Sequence, residues 1–337
     1  MRTNIHFGIS EPNAPDINTL IKFARTAEKC GFNSIHVGDH VFKPFESLTA
    51  LTAIAMKTTK LKIATHVLDM NRRNPATTAH VTATLDHVSG GRLILGVGCG
   101  IWNWPTYTVS NIGDTGRLMA SRKVRRAKEA IEVLKKFWTE PRVDYKGNFY
   151  HFTNASIKTN LSQHPHPPVW VAAYGIRMKQ IAAQFGDGFI TQTMPSFMCG
   201  EEIEQVKGFA KEAGRNPMKI KTIFASLTGI GRNRDAAVRT IQERARSLLF
   251  YSVRDHADHH NKLAERLGYD RSLPWEKPED VSSADICRVY LIGTPEDIIT
   301  RIEEYMKEGI SYIIVMGLRT IESLNLFSEK VISSFNG

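Results

Sequence analysis

Eight short apolar runs, at residues 5–9, 34–37, 61–67, 93–97, 169–173, 189–192, 220–228 and 312–316, are each followed by a segment of helical periodicity. No other feature of the chain constrains its fold as much. Strands separated by helices predict a parallel sheet with right-handed crossovers, and eight such units predict a closed (β/α)8 TIM barrel. A length of 337 residues suits one barrel with insertions as well as it suits two domains. With no linker or repeat to divide it, residues 1–337 read as a single domain. Two segments interrupt the alternation. Val143 and Tyr145, the turn Lys146-Gly147-Asn148, then Phe149 and Phe152 signal a β-hairpin within an insertion near 139–166. Extra helices at 236–251 and 257–267 mark a helical insertion near 233–290.

The stretch 74–104, NPATTAHVTATLDHVSGGRLILGVGCGIWNW, shows the unit most clearly. Residues 76–88 carry small and apolar side chains at helical spacing, and Ser89-Gly90-Gly91 supplies the stop that a left-handed cap requires. Residues 93–97 suit a strand buried on both faces. Gly96, Gly98 and Gly100 leave bare backbone at its end, which admits either a flat ligand or closely packed chain.

In a barrel of this kind, functional groups gather where strands end. Those ends carry Asp39-His40, Thr65-His66-Val67, Gly98-Cys99-Gly100, Tyr174-Gly175-Ile176-Arg177 and Gln192-Thr193. In Asp39-His40 the imidazole could exchange a proton near neutral pH and the carboxylate could accept a hydrogen bond from a ligand ring; a capping Asp beside a packed His is the plainer alternative. Tyr174-Gly175-Ile176-Arg177 is a strand–glycine–helix turn, suited to a phosphate at a helix N-terminus or simply a helix start with a surface Arg. Cys99 reads as a small packed side chain rather than a nucleophile, since no His–Asp partner pattern accompanies it.

Several classes of function are excluded. No apolar run approaches ~18 residues, and the N-terminal MRTNIHFGIS has no secretion-signal pattern. Cys30, Cys99, Cys199 and Cys287 are far apart with no CxxC pair, which argues for reduced thiols in a cytoplasm and against a zinc knuckle. His256, His259 and His260, with Asp255 and Asp258, lie in the helical insertion and read as a polar helix surface, so no metal is expected. His164 and His166, among prolines, read as loop. The net charge of +10 raises nucleic acid as a partner, but the basic residues are dispersed and the densest cluster, residues 122–126, opens an amphipathic helix. An acidic small-molecule cofactor or substrate fits that charge better.

The run NPATTAHVTATLDHVSGGRLILGVGCG closely resembles the hallmark segment of the bacterial-luciferase-like oxidoreductases. SIHVGDH, PPVWVAAYGIRMKQIAAQFGDGFI and GTPEDIITRIEEYMKEGISYIIVMG resemble further motifs of that family in the same order, and DYKGNFYHF looks like its hairpin. The resemblance covers almost the whole chain. It implies a (β/α)8 barrel binding FMN or the deazaflavin coenzyme F420. The Asp-His pair is similar to the F420 branch, and LTAIAMKTTKLKI with NPATTAHVTATLD resembles the methylenetetrahydromethanopterin reductases.

The resemblance further implies that Asp39 and His40 lie beside the deazaflavin ring, with Gly98 and Cys99 close by. It implies a non-proline cis peptide within Thr65-His66-Val67, making a cofactor-binding bulge behind the ring, and a phosphate held at Tyr174, Gly175, Arg177 and Met178. There are departures. Ser10 stands where the pterin reductases carry a catalytic Glu, with Glu11 adjacent but expected to face differently unless the turn shifts by one residue. Ile101 stands where sugar-phosphate and alcohol dehydrogenases of the branch carry a Glu, and residues 41–44 lack their Trp. Ser10, Gln192, Trp102 and Trp104 are then the expected substrate pocket, the two tryptophans as an aromatic wall.

The expected activity is F420-dependent hydride transfer to or from a small organic substrate (a pterin one-carbon carrier, an alcohol or aldehyde, or an imine). His40 would be the proton donor or acceptor and Asp39 the ring contact, in a homodimer. An FMNH2-dependent monooxygenase and a non-catalytic flavin-binding relative are the alternatives.

Overall fold

The computed structural model describes residues 5–40, 43–100, 120–158, 160–254, 263–265, 267–269 and 273–335. Its strands are β1 (His6–Ser10), β2 (Ser34–Val37), β3 (Lys62–Thr65), β4 (Leu68–Asp69), β5 (Leu93–Gly98), β6 (Val143–Lys146), β7 (His151–Ala155), β8 (Val169–Ala172), β9 (Gly188–Gln192), β10 (Lys221–Ile230), β11 (Leu291–Gly293) and β12 (Tyr312–Met316). Eight of them pair side by side in the order β10-β12-β1-β2-β3-β5-β8-β9, and β9 pairs back onto β10, so the sheet closes. Every one of these pairings is parallel. This is the (β/α)8 barrel, built from the eight apolar runs of the sequence. The hairpin is β6 and β7, paired antiparallel. The helices Arg234–Arg254 and Ser283–Val289 fall between β10 and β11, within the segment read as a helical insertion.

Local chemistry sets the helix boundaries. Asn74 accepts hydrogen bonds from the N–H groups of Ala76 and Thr77 at 3.0 and 3.2 Å, Pro75 occupies the first turn, and the helix runs Pro75–Val88. Gly90 and Gly91 then take φ of 65° and 78°, the left-handed values that end a helix. Thr294 and Asp297 form a capping box at the start of Pro295–Lys307. In the first helix, Ile17–Lys29, the buried side chains are Leu20, Phe23, Ala24 and Ala27. Ile21 and Cys30 are only half-buried, and the Phe23 ring takes the inner position. Helix Ser196–Glu212 begins directly after Pro195. Among the described residues no helix is long and apolar enough to cross a membrane.

Register divides the barrel wall into two faces. Ile9, Ile35, Ile63 and Leu93 pair in one row, all fully buried and turned toward the helices. The alternate row, Gly8, Ser34 and Lys62, turns inward. The barrel interior is polar and aromatic as a result. Ser34 Oγ lies 2.6 Å from His36 Nε2 and 2.7 Å from Tyr312 Oη. Trp170 meets Tyr312 edge-on at 5.0 Å, and His36 meets His66 edge-on at 5.8 Å.

Between β3 and β4 the wall bulges. Ala64 pairs with Ile94, and the next pairing is Leu68 with Val97. The chain therefore advances four residues on one side against three on the other, which is a one-residue bulge. The His66–Val67 peptide within it is cis, at the place the family resemblance implied. The glycines of β5 accommodate this segment. A methyl group on Gly96 would collide with the carbonyl of Thr65, one on Gly98 would lie 2.9 Å from Val67 Cγ2, and one on Gly100 would collide with the Asp69 carboxylate. Their bare backbone admits the bulged chain itself.

Gly96→Ala tests this packing. Both partners in the collision are backbone, so no side chain can rotate away, and chemical denaturation should show a loss of about 3 kcal/mol, with reduced cofactor affinity if any folded protein is recovered.

Candidate active site

Parallel pairing brings the C-terminal ends of all eight barrel strands to one mouth, and the residues read from the sequence meet there. A methyl group built on Gly38 would sit 3.4 Å from His40 Cδ2, 3.5 Å from Glu11 Oε1 and 3.5 Å from the His66 carbonyl. These three residues, from the ends of β1, β2 and β3, thus surround a single point. Ser10 faces inward at the end of β1, in register with His36. Glu11 follows the last strand residue, and its side chain is only 5% exposed. It accepts from the Gly38 N–H at 3.2 Å and from Ser10 Oγ at 3.0 Å, and it pairs with the Lys43 ammonium. The expectation that Glu11 faces elsewhere is therefore corrected: the chain leaves the strand after Ser10, so strict alternation no longer fixes where Glu11 points.

Asp39 is buried at the end of β2 and is engaged by the protein. Its carboxylate accepts from Arg73 Nη2 at 2.7 Å, lies 3.0 Å from Arg72 Nη2, and receives the Asp69 N–H at 3.2 Å and Ser47 Oγ at 3.4 Å. Arg72 also donates to the Asp39 carbonyl and pairs with Asp69 at 3.2 Å, while Arg73 reaches Glu46 at 2.7 Å. A carboxylate offers about four acceptor positions, and protein groups fill them here. Held in this way, Asp39 anchors the strand end that carries His40.

The imidazoles of the mouth are held neutral. Burial lowers the pKa of His40, and the Lys43 and Arg72 charges add to that against the opposing Glu11 and Asp39 carboxylates. His66 is pushed down to about 4, chiefly by burial, with Glu11 opposing and Lys43 and His40 reinforcing. His36, wholly buried beneath them, lies well below the ordinary range through burial and its neighbour His66. A neutral His40 can accept a proton at pH 7. Burial raises the Asp69 carboxyl and pushes the Cys99 thiol up to about 11, a packed thiol rather than a nucleophile.

Across the mouth, Tyr174 follows β8. Burial pushes its phenol up to about 12, against hydrogen bonds with Thr193, Gln192 and Ser252. Thr193 holds a left-handed φ of 56°, a strained conformation for a β-branched residue of the kind that clusters at functional sites. Helix Ile176–Phe185 starts at Gly175 with no side-chain cap, and a methyl group on Gly175 would meet nothing within 4 Å. Arg177 is exposed on its first turn, and Met178 is buried beneath it. Open N–H groups, a positive helix end and a guanidinium suit a phosphate.

Trp102, Trp104, Ile101 and the His256, His259 and His260 group lie outside the described residues, among which no cluster of metal-ligating type occurs. Sequence reading missed Arg72, Arg73, Lys43, Asp69 and His36. The arginine doublet had a usable signal in its place between the β3 end and the Asn74-Pro75 cap.

The family model for luciferase-like monooxygenases matches residues 3–312. An F420-dependent glucose-6-phosphate dehydrogenase of Amycolatopsis mediterranei is 27% identical, over 93% of this chain and 93% of its own. A 5,10-methylenetetrahydromethanopterin reductase of Archaeoglobus fulgidus is 24% identical, over 92% of this chain and 93% of its own. The structure of the coenzyme F420-dependent tetrahydromethanopterin reductase of Methanopyrus kandleri superposes with a TM-score of 0.82 at 22% identity, covering 98% of this chain and 99% of that one.

The depressed His66 pKa has a consequence for stability. Between its folded value of about 4 and its ordinary 6.5, the unfolded chain binds a proton that the folded chain does not, so stability falls as pH is lowered through that window. Thermal unfolding measured across it should show that fall, and His66→Gln should make it shallower; an unchanged slope would contradict the neutral, buried assignment.

Proposed function

The chain belongs to the luciferase-like monooxygenase family, and from that premise we propose that it is an oxidoreductase moving a hydride between the deazaflavin coenzyme F420 and a small organic substrate. Two features support the cofactor. Relatives aligned over more than nine-tenths of the chain are an F420-dependent dehydrogenase and a reductase acting on methylenetetrahydromethanopterin. The residues of the mouth also fit such a group: the uncapped start of Ile176–Phe185, with Arg177 above it, would hold a phosphate, and the cluster around Gly38 would face the ring.

When bound, the deazaflavin supplies a ring carbon that takes or releases the hydride. The protein's own part is proton exchange and orientation. His40, neutral through burial and the nearby Lys43 and Arg72 charges, takes the proton of a substrate hydroxyl or amine as hydride leaves, and returns it in the reverse direction. Glu11, adjacent and paired with Lys43, raises the basicity of His40 and offers the carboxylate that Ser10 does not. Asp39, gripped by Arg72 and Arg73, fixes the backbone from which His40 projects. The observation that carries the reading is the convergence of His40, Glu11 and His66 around Gly38. Exposed Met56, Val81 and Val88, on or just after two neighbouring helices, support pairing with a second copy, as an apolar surface of that kind favours.

Titration of the purified chain should give saturable spectral changes with F420; tight FMN binding with no F420 binding would overturn the reading in favour of a monooxygenase. With a panel of alcohols, aldehydes, imines and pterins, His40→Ala should lower turnover by about a hundredfold while cofactor affinity holds. Because Glu11 raises the pKa of His40, Glu11→Gln should move the acidic limb of the pH–rate profile to lower pH.

A further inference from the structure

The turn after β9 holds a residue in a conformation that its type resists. Thr193 is wholly buried at a φ of 56°, a region that glycine enters freely and a β-branched residue enters only at a cost. Such strain persists where the surroundings over-determine it, and they do so here. On one side, Gln192 ends β9 and pairs with Ala225 of β10. On the other, the Met194 carbonyl accepts from Tyr305 Oη at 2.8 Å, and the fully buried Tyr305 ring stacks on Phe224 at 4.1 Å. A glycine would meet the same backbone requirement without strain. What glycine lacks is a side chain, so the conformation points to a use for the Thr193 hydroxyl.

That hydroxyl sits between the buried phenols of Tyr174 and Tyr290 and hydrogen-bonds with both. Tyr290 is fully buried just before β11 and is held by its own packing. Tyr174 is placed differently. The β8 ladder ends at Ala173, whose N–H donates to Ile190 O at 3.1 Å, so Tyr174 is the first residue beyond it. Gly175 follows, exposed, with no side-chain cap and with open space where a Cβ would stand. The turn that starts helix Ile176–Phe185 thus has little restraint of its own. The Tyr174 hydroxyl, held by Thr193 together with Gln192 and Ser252, supplies one. Hydrogen bonds from N–H groups to a phosphate weaken steeply with misalignment, so the attitude of this turn governs what it can hold.

We propose that Thr193 is a positioning residue: its hydroxyl, aimed by the left-handed backbone, pegs Tyr174 and so sets the N–H groups of the Gly175 turn to receive the cofactor phosphate. The inference rests on the reading of that turn as the phosphate site. Thr193 itself touches neither the phosphate nor the hydride; its effect passes through Tyr174.

Spectral titration of the full chain with F420, and with the deazaflavin fragment that ends before the phosphate, tests it. Thr193→Val keeps the shape but loses the hydroxyl, and should weaken F420 binding by about tenfold while the phosphate-free fragment binds as before. Thr193→Ser should recover the affinity to within about threefold of the wild type. Tyr174→Phe should cost about as much as Thr193→Val, and the pair together no more than either alone, since both break one link. Thr193→Gly, free of backbone strain, should remain folded in thermal unfolding and show the same loss of F420 affinity. Wild-type affinity in Thr193→Val, an equal loss in Thr193→Ser, or an equal loss for the phosphate-free fragment would each overturn the proposal. If the chain takes FMN and not F420, the F420 reading falls, and the same variants compared on FMN and riboflavin decide this one by the same outcomes. A chain that binds none of these compounds overturns both.

Discussion

The contact on which the catalytic mouth depends is the one between the Thr65 carbonyl and Gly96. A side chain there would drive β3 off β5, and the bulge carrying His66 and Val67 would have no seat. Thr65 also donates from Oγ1 to the Gly96 carbonyl at 2.7 Å, and His66 N–H is fixed to Val37 O at 2.9 Å. Pinned on both sides, the bulge sets where Asp69, Arg72 and Arg73 begin. Those residues in turn hold Asp39. The active-site geometry thus descends in part from the three glycines that seat the bulge.

Electrostatics extends the same logic. Asp39, Asp69, Glu46, Arg72 and Arg73 form one partly buried charge network. A buried pair is a weak source of net stability but a strong source of geometric definition when each member has several partners. Burial keeps the imidazoles neutral; at His40 the Lys43 and Arg72 charges add to it, and at both His40 and His66 Glu11 tempers it.

The fold was legible because burial on both faces of a parallel strand produces continuous apolar runs, and eight of these, such as residues 93–97 and 312–316, stand out against their amphipathic helices. The helix starts at Asn74-Pro75 and Thr294-Pro295 are set by capping, a local interaction. The mouth was legible in the strand ends for Asp39, His40, His66, Tyr174 and Gln192, and through the family resemblance for Ser10. What escaped depends on contacts distant in sequence. Nothing near Asp39 says that Arg72 and Arg73 will reach it, and alternation misplaces Glu11 because it applies only while the strand lasts. The glycines of 96–100 were seen, but whether a ligand or the chain would fill their space could be decided only once the register of the bulge was known. Leu68–Asp69 and Leu291–Gly293 were too short to read as strands.

The four-against-three count at the bulge also bears on how the chain can change in length. Side chains in a strand alternate between faces, so one extra residue reverses the parity of everything beyond it. Deleting any one residue of 65–67 would restore even pairing with β5, leaving Leu68 opposite Val97 and Asp69 opposite Gly98 on their present sides. Leu68 and Met70 would stay buried. What such a deletion removes is the bulge itself, and with it the seat of His66 and Val67. The hydrophobic pattern of the wall is thus indifferent to a loss of one residue here, while the mouth built on the bulge is not.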